Sequence, residues 1–374
     1  MGIVWDINLE RPEFPQLTSN LEADLVVVGL GGSGLTALLH AAQRGLKVIG
    51  IDADRIAAGA AGRNGGLLLA GIADFHHNVR QDFGVERATA LYQHTLDEMD
   101  RIEATTPEAV SRIGALRIGE LRRGEDPGEL SDTYAHRDAL IADGFPVENY
   151  QGEQGIGILI PTDGTFHPAK RAVLLAKLAH TAGAQIFTHS PAVKIESGLV
   201  TTEQGSIKAK HIVVAVDGNL GKALPEISDL VQPTRLQMIS TAPETKIKMQ
   251  YAVYVRQGWD YWQQLPDGRI AIGGGRDLAI DQEDTDVVEP TAVIREYLER
   301  KLDAIGVTAP VEHHWAAIVS YTDSGLPIVK EVQPGVWAVG AYCGTGNVVG
   351  ALLARSAVDY CIDGQSQVIS DFAS

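Results

Sequence analysis

The sequence has few cysteines and no motif that uses them. Cys343 and Cys361 are the two cysteines among 374 residues, and neither belongs to a CxxC pair or a Cys/His cluster. Paired cysteines form disulfide frameworks, and cysteine–histidine clusters bind zinc. The pattern therefore argues against a disulfide-stabilised scaffold and against a structural zinc site, and we predict no metal.

Long hydrophobic runs are also absent. The apolar segments are short and interrupted by glycine, whereas about 20 consecutive apolar residues are needed to cross a bilayer. The stretch MGIVWDINLERPEFPQL lacks the basic segment and following apolar segment of a secretory signal peptide. The sequence therefore predicts a cytoplasmic protein with no membrane span.

Positive charge is in the minority. Lysine and arginine number 31 against 48 aspartates and glutamates, so the net charge is −17. A surface of this sign repels the phosphates of nucleic acids and anionic lipids. We therefore predict no nucleic-acid partner. The length corresponds to about two domains at roughly 150 residues each, and the hydrophobic content of 45% is enough to fill their cores.

The stretch VVVGLGGSG, residues 26–34, joins a run of valines to three spaced glycines. ADLVVVG is typical of a buried parallel strand, LTALLHAAQRG of a helix, and LKVIGID of a second strand that ends at Asp52. Gly29, Gly31 and Gly34 match the GxGxxG pattern, which permits a tight turn, close approach to a pyrophosphate and close helix–strand packing. We therefore predict a dinucleotide site in which Asp52 accepts hydrogen bonds from a ribose and repels the 2′-phosphate of NADP.

Two further glycine-rich loops favour FAD over NAD. GRNGG, residues 62–66, follows the second strand, and AYCGTGNVVGALLA, residues 341–354, joins a final strand to a helix. The N-terminus of that helix can stabilise the pyrimidine end of a reduced flavin, because its free N–H groups and its dipole favour negative charge. An NAD-linked dehydrogenase needs no such additional loop, and it stays open as an alternative.

The order of elements predicts an α/β fold, in which a Rossmann-like FAD-binding domain is interleaved with a β-rich domain of α+β character. The opening βαβ unit and the final strand–turn–helix share one composition, so both are assigned to the nucleotide domain. The expected divisions are an N-terminal extension (1–21), an FAD-binding domain (22–85, 155–231 and 322–374) and a substrate or cap domain (86–154 and 232–321).

Several segments spread in order over nearly the whole chain show a common resemblance. They are ADLVVVGLGGSGLTALLHAAQRG, IAAGAAGRNGG, FHPAKRAVLLAKLAHTAGAQIF, HIVVAVDGN, DGRIAIGGGRD, SGLPIV and GVWAVGAYCGTGNVV. Together they resemble the D-amino-acid oxidase, glycine oxidase and sarcosine oxidase superfamily of FAD-dependent oxidoreductases, and most of all its γ-glutamylputrescine oxidase-like branch. The resemblance implies an amine or amino-acid oxidase or dehydrogenase. Hydride would pass from a C–H bond beside the nitrogen to flavin N5, giving an imine that hydrolyses.

The resemblance also implies where FAD contacts the chain. The adenosine is expected at the first glycine loop, the isoalloxazine at GRNGG and the pyrimidine end at the last loop. The implied contacts are Gly29, Gly31, Gly32, Ser33, Gly34, Asp52, Ala53, Arg63, Asn64, Gly65, Gly66, Leu67, Val193, Gly218, Gly340, Gly344, Thr345, Gly346, Asn347 and Val348. Relatives that bind the flavin covalently do so near VSYT, which has no cysteine here, so non-covalent FAD is expected.

Three positions depart from what the resemblance implies. Val319 and Gly344 stand where amino-acid-oxidising relatives place basic residues that bind the substrate carboxylate. Ala271 stands where sarcosine oxidases have a lysine that helps to activate oxygen. These replacements favour an amine, a polyamine derivative or a larger substrate over a small α-amino acid. They leave both O2 and another electron acceptor open.

Candidate substrate residues lie mostly in the β-rich segment. Tyr254, Tyr261 and Trp262 flank a strand expected to face the flavin, and aromatic side chains can wall an apolar amine pocket. Tyr254, Trp262 and His76 are also catalytic candidates, the histidine as an acid or base. Arg276 is a candidate contact for a substrate acid group. Ordinary packing or a surface position is the alternative for each residue, and a loop carbonyl is the alternative partner for Arg276.

The predicted partners are a small-molecule amine and an electron acceptor, and an oligomer is compatible with the sequence. A flavoprotein subunit that transfers electrons or only binds flavin is a further alternative, because the basic positions named above are replaced.

Overall fold

The computed structural model describes residues 2–124 and 128–372 of the chain. The strands are β1 (Asn20–Val28), β2 (Val48–Ile51), β3 (Leu67–Leu68), β4 (Val110–Ser111), β5 (Ala115–Leu121), β6 (Glu148–Gly152), β7 (Gly155–Ile160), β8 (Gly164–Phe166), β9 (Gln185–Phe187), β10 (Ala192–Glu196), β11 (Leu199–Thr202), β12 (Ser206–Val214), β13 (Gln232–Pro243), β14 (Ala252–Val255), β15 (Asp260–Gln264), β16 (Arg269–Gly274), β17 (Val311–Tyr321), β18 (Ile328–Gln333) and β19 (Val336–Gly340). The α-helices are α1 (Gly32–Gln43), α2 (His76–Phe83), α3 (Val85–Thr105), α4 (Leu130–Ala142), α5 (Pro168–Thr181), α6 (Leu220–Ala223), α7 (Ile280–Glu283), α8 (Ala292–Ala304), α9 (Val349–Asp363) and α10 (Gln367–Phe372). Short 3₁₀ turns lie at Val4–Asp6, Ala60–Gly62, Pro107–Ala109, Asp217–Asn219, Pro225–Leu230, Arg256–Gly258 and Arg276–Ala279.

The first sheet is built around β1. Its strands run in the order β10-β11-β12-β1-β2-β9, and β19 pairs with both β12 and β18. β1 is parallel to β2 and to β12, with Val26 opposite Ile49 and Ile212. The second halves of β1 and β12 and the whole of β2 are apolar and buried, as expected for a parallel sheet covered on both faces. The predicted α/β class is confirmed.

Helices α1, α5 and α9 cover one face of this sheet. Leu38 of α1, Leu175 of α5 and Leu352 of α9 belong to one core with Val27 of β1. The long apolar stripes of these helices explain the arrangement, because each helix buries its stripe against the sheet. The packing places the N-termini of α1 and α9 at the carboxyl ends of β1 and β19.

The second sheet is mostly antiparallel and has the order β17-β13-β16-β15-β14-β5-β7-β6. Helix α8 packs against one face, where Leu298 and Leu302 share a core with Trp262 and Ile272. Because neighbouring side chains on a strand point to opposite faces, Tyr261 lies on the other face. A small third sheet, β3-β8-β4, stands beside the two large ones.

One expected division differs from the observed sheets. Residues 155–231 were expected in the FAD-binding domain, but β7 pairs with β5 and β6 in the second sheet. Gly157 allows this pairing, because a Cβ there would lie 2.1 Å from the backbone oxygen of Arg117 on β5. The first sheet therefore resumes only after β7, with β9. Among residues 2–124 and 128–372, no helix is long and apolar enough to cross a membrane.

A buried ion pair anchors the segment between β16 and β17 to the second sheet. Arg235 on β13 donates to both carboxylate oxygens of Glu283, at 2.9 and 3.0 Å, and the two side chains are 7% and 1% exposed.

We predict that Arg235→Ala lowers the free energy of unfolding by about 3–5 kcal/mol, because it leaves a buried carboxylate without its cation. Urea unfolding measures the loss. Arg122→Ala, which removes an exposed pair with Glu153, should cost less than about 1 kcal/mol. Equal losses in the two variants would contradict the prediction.

Candidate cofactor and active site

A cavity of about 1080 Å³ is lined by residues from both large sheets. Its walls include the turn between β1 and α1, the loop at residues 63–65, the loop at residues 342–348 and tyrosines of the second sheet. Ligand pockets are typically about 300–1,000 Å³. The cavity is therefore large enough for a dinucleotide with a small substrate beside it.

The turn between β1 and α1 depends on two glycines. Gly29 has φ +92°, and a Cβ there would lie 2.6 Å from Val216 Cγ1. A Cβ on Gly34 would lie 1.8 Å from the backbone oxygen of Gly29. Both contacts are shorter than any real Cβ contact, so no other residue fits without a backbone shift. The glycines thus bring the start of α1 directly against the end of β1.

The first turn of α1 presents free N–H groups toward the cavity. Its N-cap is Gly31, which has no side chain to accept from them, and Gly32 and Ser33 line the cavity. Such a helix N-terminus binds anions through its N–H groups and its dipole. Asp52 fixes the turn from the side, because its carboxylate accepts from Leu30 N at 2.7 Å. Burial raises the pKa of Asp52 above its usual value.

The loop at residues 63–66 is held rigidly by side chains distant in sequence. Trp5 Nε1 donates to the backbone oxygen of Asn64 at 2.8 Å, and Trp315 Nε1 to that of Arg63 at 2.8 Å. Gln263 Nε2 donates to the backbone oxygen of Gly65 at 2.5 Å. These bonds fix a shaped wall of the cavity.

The last glycine-rich loop leads into α9. No side chain caps the N-terminus of this helix, and Asn347 just before it donates to Leu67 O at 3.0 Å. A Cβ on Gly350 would lie 2.4 Å from Ser33 Oγ. The glycine therefore lets α9 pack closely on α1, so both helix N-termini face one cavity.

The structure brings most of the expected FAD contacts together. The expected contacts that line the cavity are Gly29, Gly31, Gly32, Ser33, Asp52, Ala53, Arg63, Asn64, Gly65, Leu67, Gly218, Gly344, Thr345, Gly346, Asn347 and Val348. Gly34, Gly66 and Gly340 lie outside this lining and act instead in close packing, each too near other atoms to carry a Cβ. Val193 also lies outside the lining and is 62% exposed. Its neighbours Ser190, Pro191 and Ala192 line the cavity, and the contact expected from Val193, through its backbone, stays a prediction.

The residues present fit a dinucleotide. The uncapped start of α1 and the glycines that leave no room for a Cβ suit a pyrophosphate. The half-buried carboxylate of Asp52 suits a ribose. Sequence reasoning missed one further group, Arg171 on α5, which is 4% exposed and lines the cavity. Its Nε has no hydrogen-bond partner. The segment FHPAKRAVLL contains this arginine, but only the packing of α5 on α1 shows that it faces the cavity.

The substrate candidates separate into two groups. Tyr254, Tyr261 and Arg276 line the cavity, whereas Trp262 is fully buried in the core under α8. His76 is also buried outside the cavity, and its Nε2 lies 2.7 Å from Asp143 Oδ2. Trp262 points away because it follows Tyr261 directly on β15. His76 has its hydrogen-bond partner directly after α4, which sequence spacing does not reveal.

Tyr261 and Tyr321 border the two glycine loops expected at the flavin. A Cβ on Gly65 would lie 2.6 Å from Tyr261 Cε2, and one on Gly344 would lie 3.5 Å from the Tyr321 hydroxyl. Burial raises the pKa of Tyr321 to about 12 and also raises the pKa values of Tyr254 and Tyr261. All three hydroxyls therefore stay protonated near neutral pH and can donate hydrogen bonds into the cavity.

Two arginines extend this tyrosine cluster. The Arg276 guanidinium lies 4.4 Å from the ring centre of Tyr321, and that of Arg117 lies 4.9 Å from the ring centre of Tyr254. Arg117 comes from β5 and was not singled out from the sequence. The signal for Arg117 in the sequence is the segment ALRIGEL, in which a single cationic residue stands within a mostly buried strand.

Of the three positions that depart from the resemblance, two line the cavity and one does not. Val319 and Gly344 line the cavity, and Val319 offers an apolar side chain there. Ala271 is fully buried on β16 and lies outside the lining.

Burial raises the pKa of the Cys343 thiol, so the thiol stays protonated and unreactive at neutral pH.

Asp217 is an acid in the cavity wall, and its Oδ1 atom is buried. Burial raises its pKa from 3.8 to about 7, and its Oδ1 has no hydrogen-bond partner. The folded state therefore holds a proton that the unfolded chain has lost, and its stability falls as pH rises from 3.8 toward 7.

We predict that Asp217→Asn removes this loss. Between pH 5 and pH 8, the unfolding free energy of the variant should rise relative to that of the parent by about 2–3 kcal/mol, at 1.36 kcal/mol per pKa unit. Urea unfolding of flavin-free protein at both pH values measures the difference. Parallel pH profiles for variant and parent would contradict the prediction.

Comparison with known proteins places this geometry in a family. A family description, "FAD dependent oxidoreductase", matches residues 24–360. The probable oxidoreductase OrdL of Rhizobium meliloti is 28% identical, over 93% of this chain and 86% of that protein. The γ-glutamylputrescine oxidoreductase of Escherichia coli is 25% identical, over 91% and 85%.

Solved structures share the fold at lower identity. Glycine oxidase from Geobacillus kaustophilus superposes with a TM-score of 0.74 at 18% identity, covering 93% of this chain and 96% of that chain. L-Proline dehydrogenase from P. horikoshii gives a TM-score of 0.75 at 18% identity, with the same coverage. Both establish the likeness of fold.

These matches confirm several predictions made from the sequence. They confirm FAD as the cofactor and an FAD-dependent oxidoreductase as the class of enzyme. The name of the Escherichia coli relative is consistent with the predicted oxidation at a C–N bond. They do not favour the alternatives of an NAD-linked dehydrogenase or a non-catalytic flavoprotein subunit. The chain belongs to the D-amino-acid oxidase family of FAD-dependent oxidoreductases.

Proposed function

We propose that this FAD-dependent oxidoreductase oxidises the C–N bond of an amine that also carries an anionic group. One observation carries the proposal: the tyrosine-lined part of the cavity is flanked by two arginines, Arg117 and Arg276. Neither forms a salt bridge with any residue in the described ranges 2–124 and 128–372. A cation facing a pocket without a protein acid is suited to an acidic group of the ligand.

Arg276 is the nearer of the two to the loops expected at the flavin. Its guanidinium is stacked between Trp259, at 4.8 Å from the ring centre, and Tyr321, at 4.4 Å. Stacking orients the planar group and leaves its N–H edges free to form a bidentate pair. Tyr321 in turn borders Gly344. When Arg276 binds the acidic group of a substrate, the carbon chain attached to that group therefore lies beside the loop where the flavin is expected.

Arg117 is the second cation, and like Arg276 it is half-buried. Its guanidinium lies between the rings of Tyr254 and Phe75, at 4.9 and 6.0 Å. Asp163 is the nearby acid, and burial raises the pKa of that acid to about 7 even though the charge of Arg117 lowers it. Asp163 therefore only partly neutralises Arg117 at neutral pH. Arg117 supplies a second positive site at the opposite side of the tyrosine cluster.

The residues of this chain would bind and orient the substrate rather than act as a strong base. FAD, when bound, supplies the acceptor for the hydride that leaves the carbon beside the nitrogen. Tyr254, Tyr261 and Tyr321 line an apolar wall, which favours the neutral form of an amine over its charged form. Their protonated hydroxyls donate hydrogen bonds that position polar atoms of the substrate.

The relatives support an amine substrate. One is the γ-glutamylputrescine oxidoreductase described above. Another, 29% identical over 151 residues but covering only 35% of this chain, is a 4-methylaminobutanoate oxidase from Paenarthrobacter nicotinovorans. The apolar Val319 argues against the carboxylate position used by small α-amino acids, so Arg276 and Arg117 are the proposed anion contacts.

The proposal predicts which substrates reduce the flavin. Purified protein with bound FAD is mixed without oxygen with two sets of amines, matched in length, that either carry or lack a carboxylate. We expect rapid loss of the flavin absorbance with carboxylated amines and slow loss with their neutral counterparts. Readmission of O2, compared with an artificial electron acceptor, then distinguishes an oxidase from a dehydrogenase. Stable flavin absorbance with every amine would overturn the proposed function.

Replacing the cation tests the anion contact directly. We predict that Arg276→Met lowers kcat/KM for a carboxylated amine about 10- to 100-fold, because charge-assisted hydrogen bonds contribute about 1.5–3 kcal/mol. The value for a neutral amine should change little. Arg122→Met, which removes an exposed cation directly after β5, is the control. Equal losses for both amines in Arg276→Met would rule out the anion contact.

Asp52 provides a test of the cofactor site. We predict that Asp52→Ala raises the Kd of FAD at least tenfold, since the variant loses one or more charge-assisted bonds to the ribose. Quenching of flavin fluorescence by the flavin-free protein measures the Kd. Asp24→Ala removes an exposed acid that likewise accepts from a backbone N–H, that of Lys47, and should leave the Kd unchanged. An unaltered Kd in Asp52→Ala would exclude Asp52 from the site.

A further inference from the structure

We propose that Arg171 is a cofactor-positioning residue, whose buried guanidinium pairs with the pyrophosphate of FAD at the N-terminus of α1. No sequence motif of the glycine loops includes this residue. The inference rests on the FAD-dependent function and adds a specific charge to it. It also assigns to the cofactor a role in neutralising a cation that the folded protein otherwise leaves unpaired.

Arg171 lies beside the N-terminus of α1. The residue lies in the second turn of α5, which packs along α1. Its Nη1 lies 3.2 Å from the place that a Cβ on Gly32 would occupy, and Gly32 is the first residue of α1. Both Arg171 and Gly32 line the cavity. The guanidinium therefore stands beside the uncapped N–H groups of that helix.

The buried side chain of Arg171 has a hydrogen-bond donor, its Nε, that no described residue satisfies. The side chain is 4% exposed, and its Nε has no hydrogen-bond partner. Its contact with Thr36 Oγ1 is long, at 3.4 Å, and joins it to a neutral group. In the described part of the chain it forms no salt bridge, and the nearest acid in its field, Glu98, is bonded to Arg355 at 2.6 Å. A buried guanidinium normally has its donors satisfied.

The positive charge of Arg171 lies beside the positive end of the α1 dipole. Burial lowers the pKa of Arg171 to about 10, so the group still carries its charge at neutral pH. A positive charge beside the positive end of a helix dipole is unfavourable unless an anion lies between them. A pyrophosphate supplies that anion, and the planar guanidinium binds two phosphate oxygens in parallel. One anion thus satisfies both the helix N-terminus and Arg171.

This arrangement predicts opposite effects on the flavin-free and flavin-bound protein. Without the cofactor, the charge of Arg171 is a cost to folding, because a buried charge without a partner is destabilising. With the cofactor, the same charge strengthens binding. A residue that merely packs α5 on α1 would instead stabilise both forms alike.

The test compares Arg171→Met with the parent and with Lys177→Met, which removes an exposed charge from the same helix. Flavin-free protein is titrated with FAD, with riboflavin, which lacks phosphate, and with ADP as a competitor. We expect Arg171→Met to weaken FAD and ADP about 10- to 100-fold and to leave riboflavin within about twofold. Arg171→Lys should recover part of the lost affinity. Lys177→Met should match the parent throughout.

Thermal unfolding separates positioning from packing. Flavin-free Arg171→Met should unfold at the same temperature as the flavin-free parent or higher, and should gain less stability on addition of FAD. Equal FAD affinity in Arg171→Met and the parent, or an equal loss for riboflavin and FAD, would overturn the inference while leaving the proposed function intact. A flavin-free variant that melts lower than the parent would also overturn it. Failure of the parent to bind FAD would overturn both.

Discussion

The close packing of α1 on β1 and of α9 on α1 is the constraint on which the site depends. Gly34 allows the first contact and Gly350 the second, and a Cβ on either would fall within 2.4 Å of a neighbouring atom. Together they bring two uncapped helix N-termini to one cavity. Because α1 has no capping side chain, its first turn retains N–H groups available for a ligand, and the loop that leads into α9 lines the same cavity. The anion preference of the cavity thus follows from backbone geometry before any charged side chain is considered.

Charged side chains then add to the cavity at a cost to stability. Arg171 is a buried cation without a salt bridge to the described residues, and Asp217 is an acid with a buried Oδ1 atom, whose pKa rises to about 7. Asp52 is half-buried and keeps its carboxylate against the turn at Leu30. Groups of this kind destabilise an empty fold and are expected where a ligand provides the missing partner. The cavity is therefore organised for a bound cofactor rather than for maximal stability of the protein alone.

The fold and the cofactor loops were predictable because they depend on local patterns. Valine runs identify parallel strands, and the spacing of Gly29, Gly31 and Gly34 specifies the turn that follows. The substrate side was less predictable, because it depends on strand register and on which face each side chain takes. Trp262 and Tyr261 are adjacent in sequence, yet one packs under α8 and the other lines the cavity.

The residues that were missed or misplaced share one feature, dependence on long-range packing. Arg117 and Arg171 reach the cavity only through the pairing of β5 and the packing of α5, and His76 lies beside Asp143, which directly follows α4. Residues 155–160 were expected in the FAD-binding domain, yet they pair in the second sheet, because a short apolar run suits either sheet.

The central claim is that one cavity holds FAD along its whole length, with the substrate beside the tyrosine cluster. A crystal structure of the protein with bound FAD tests it most directly. The account predicts the ribose at Asp52, the pyrophosphate between the start of α1 and Arg171, and the flavin ring between the loops of Gly65 and Gly344. An FAD molecule bound in the reverse direction, or outside this cavity, would contradict the account.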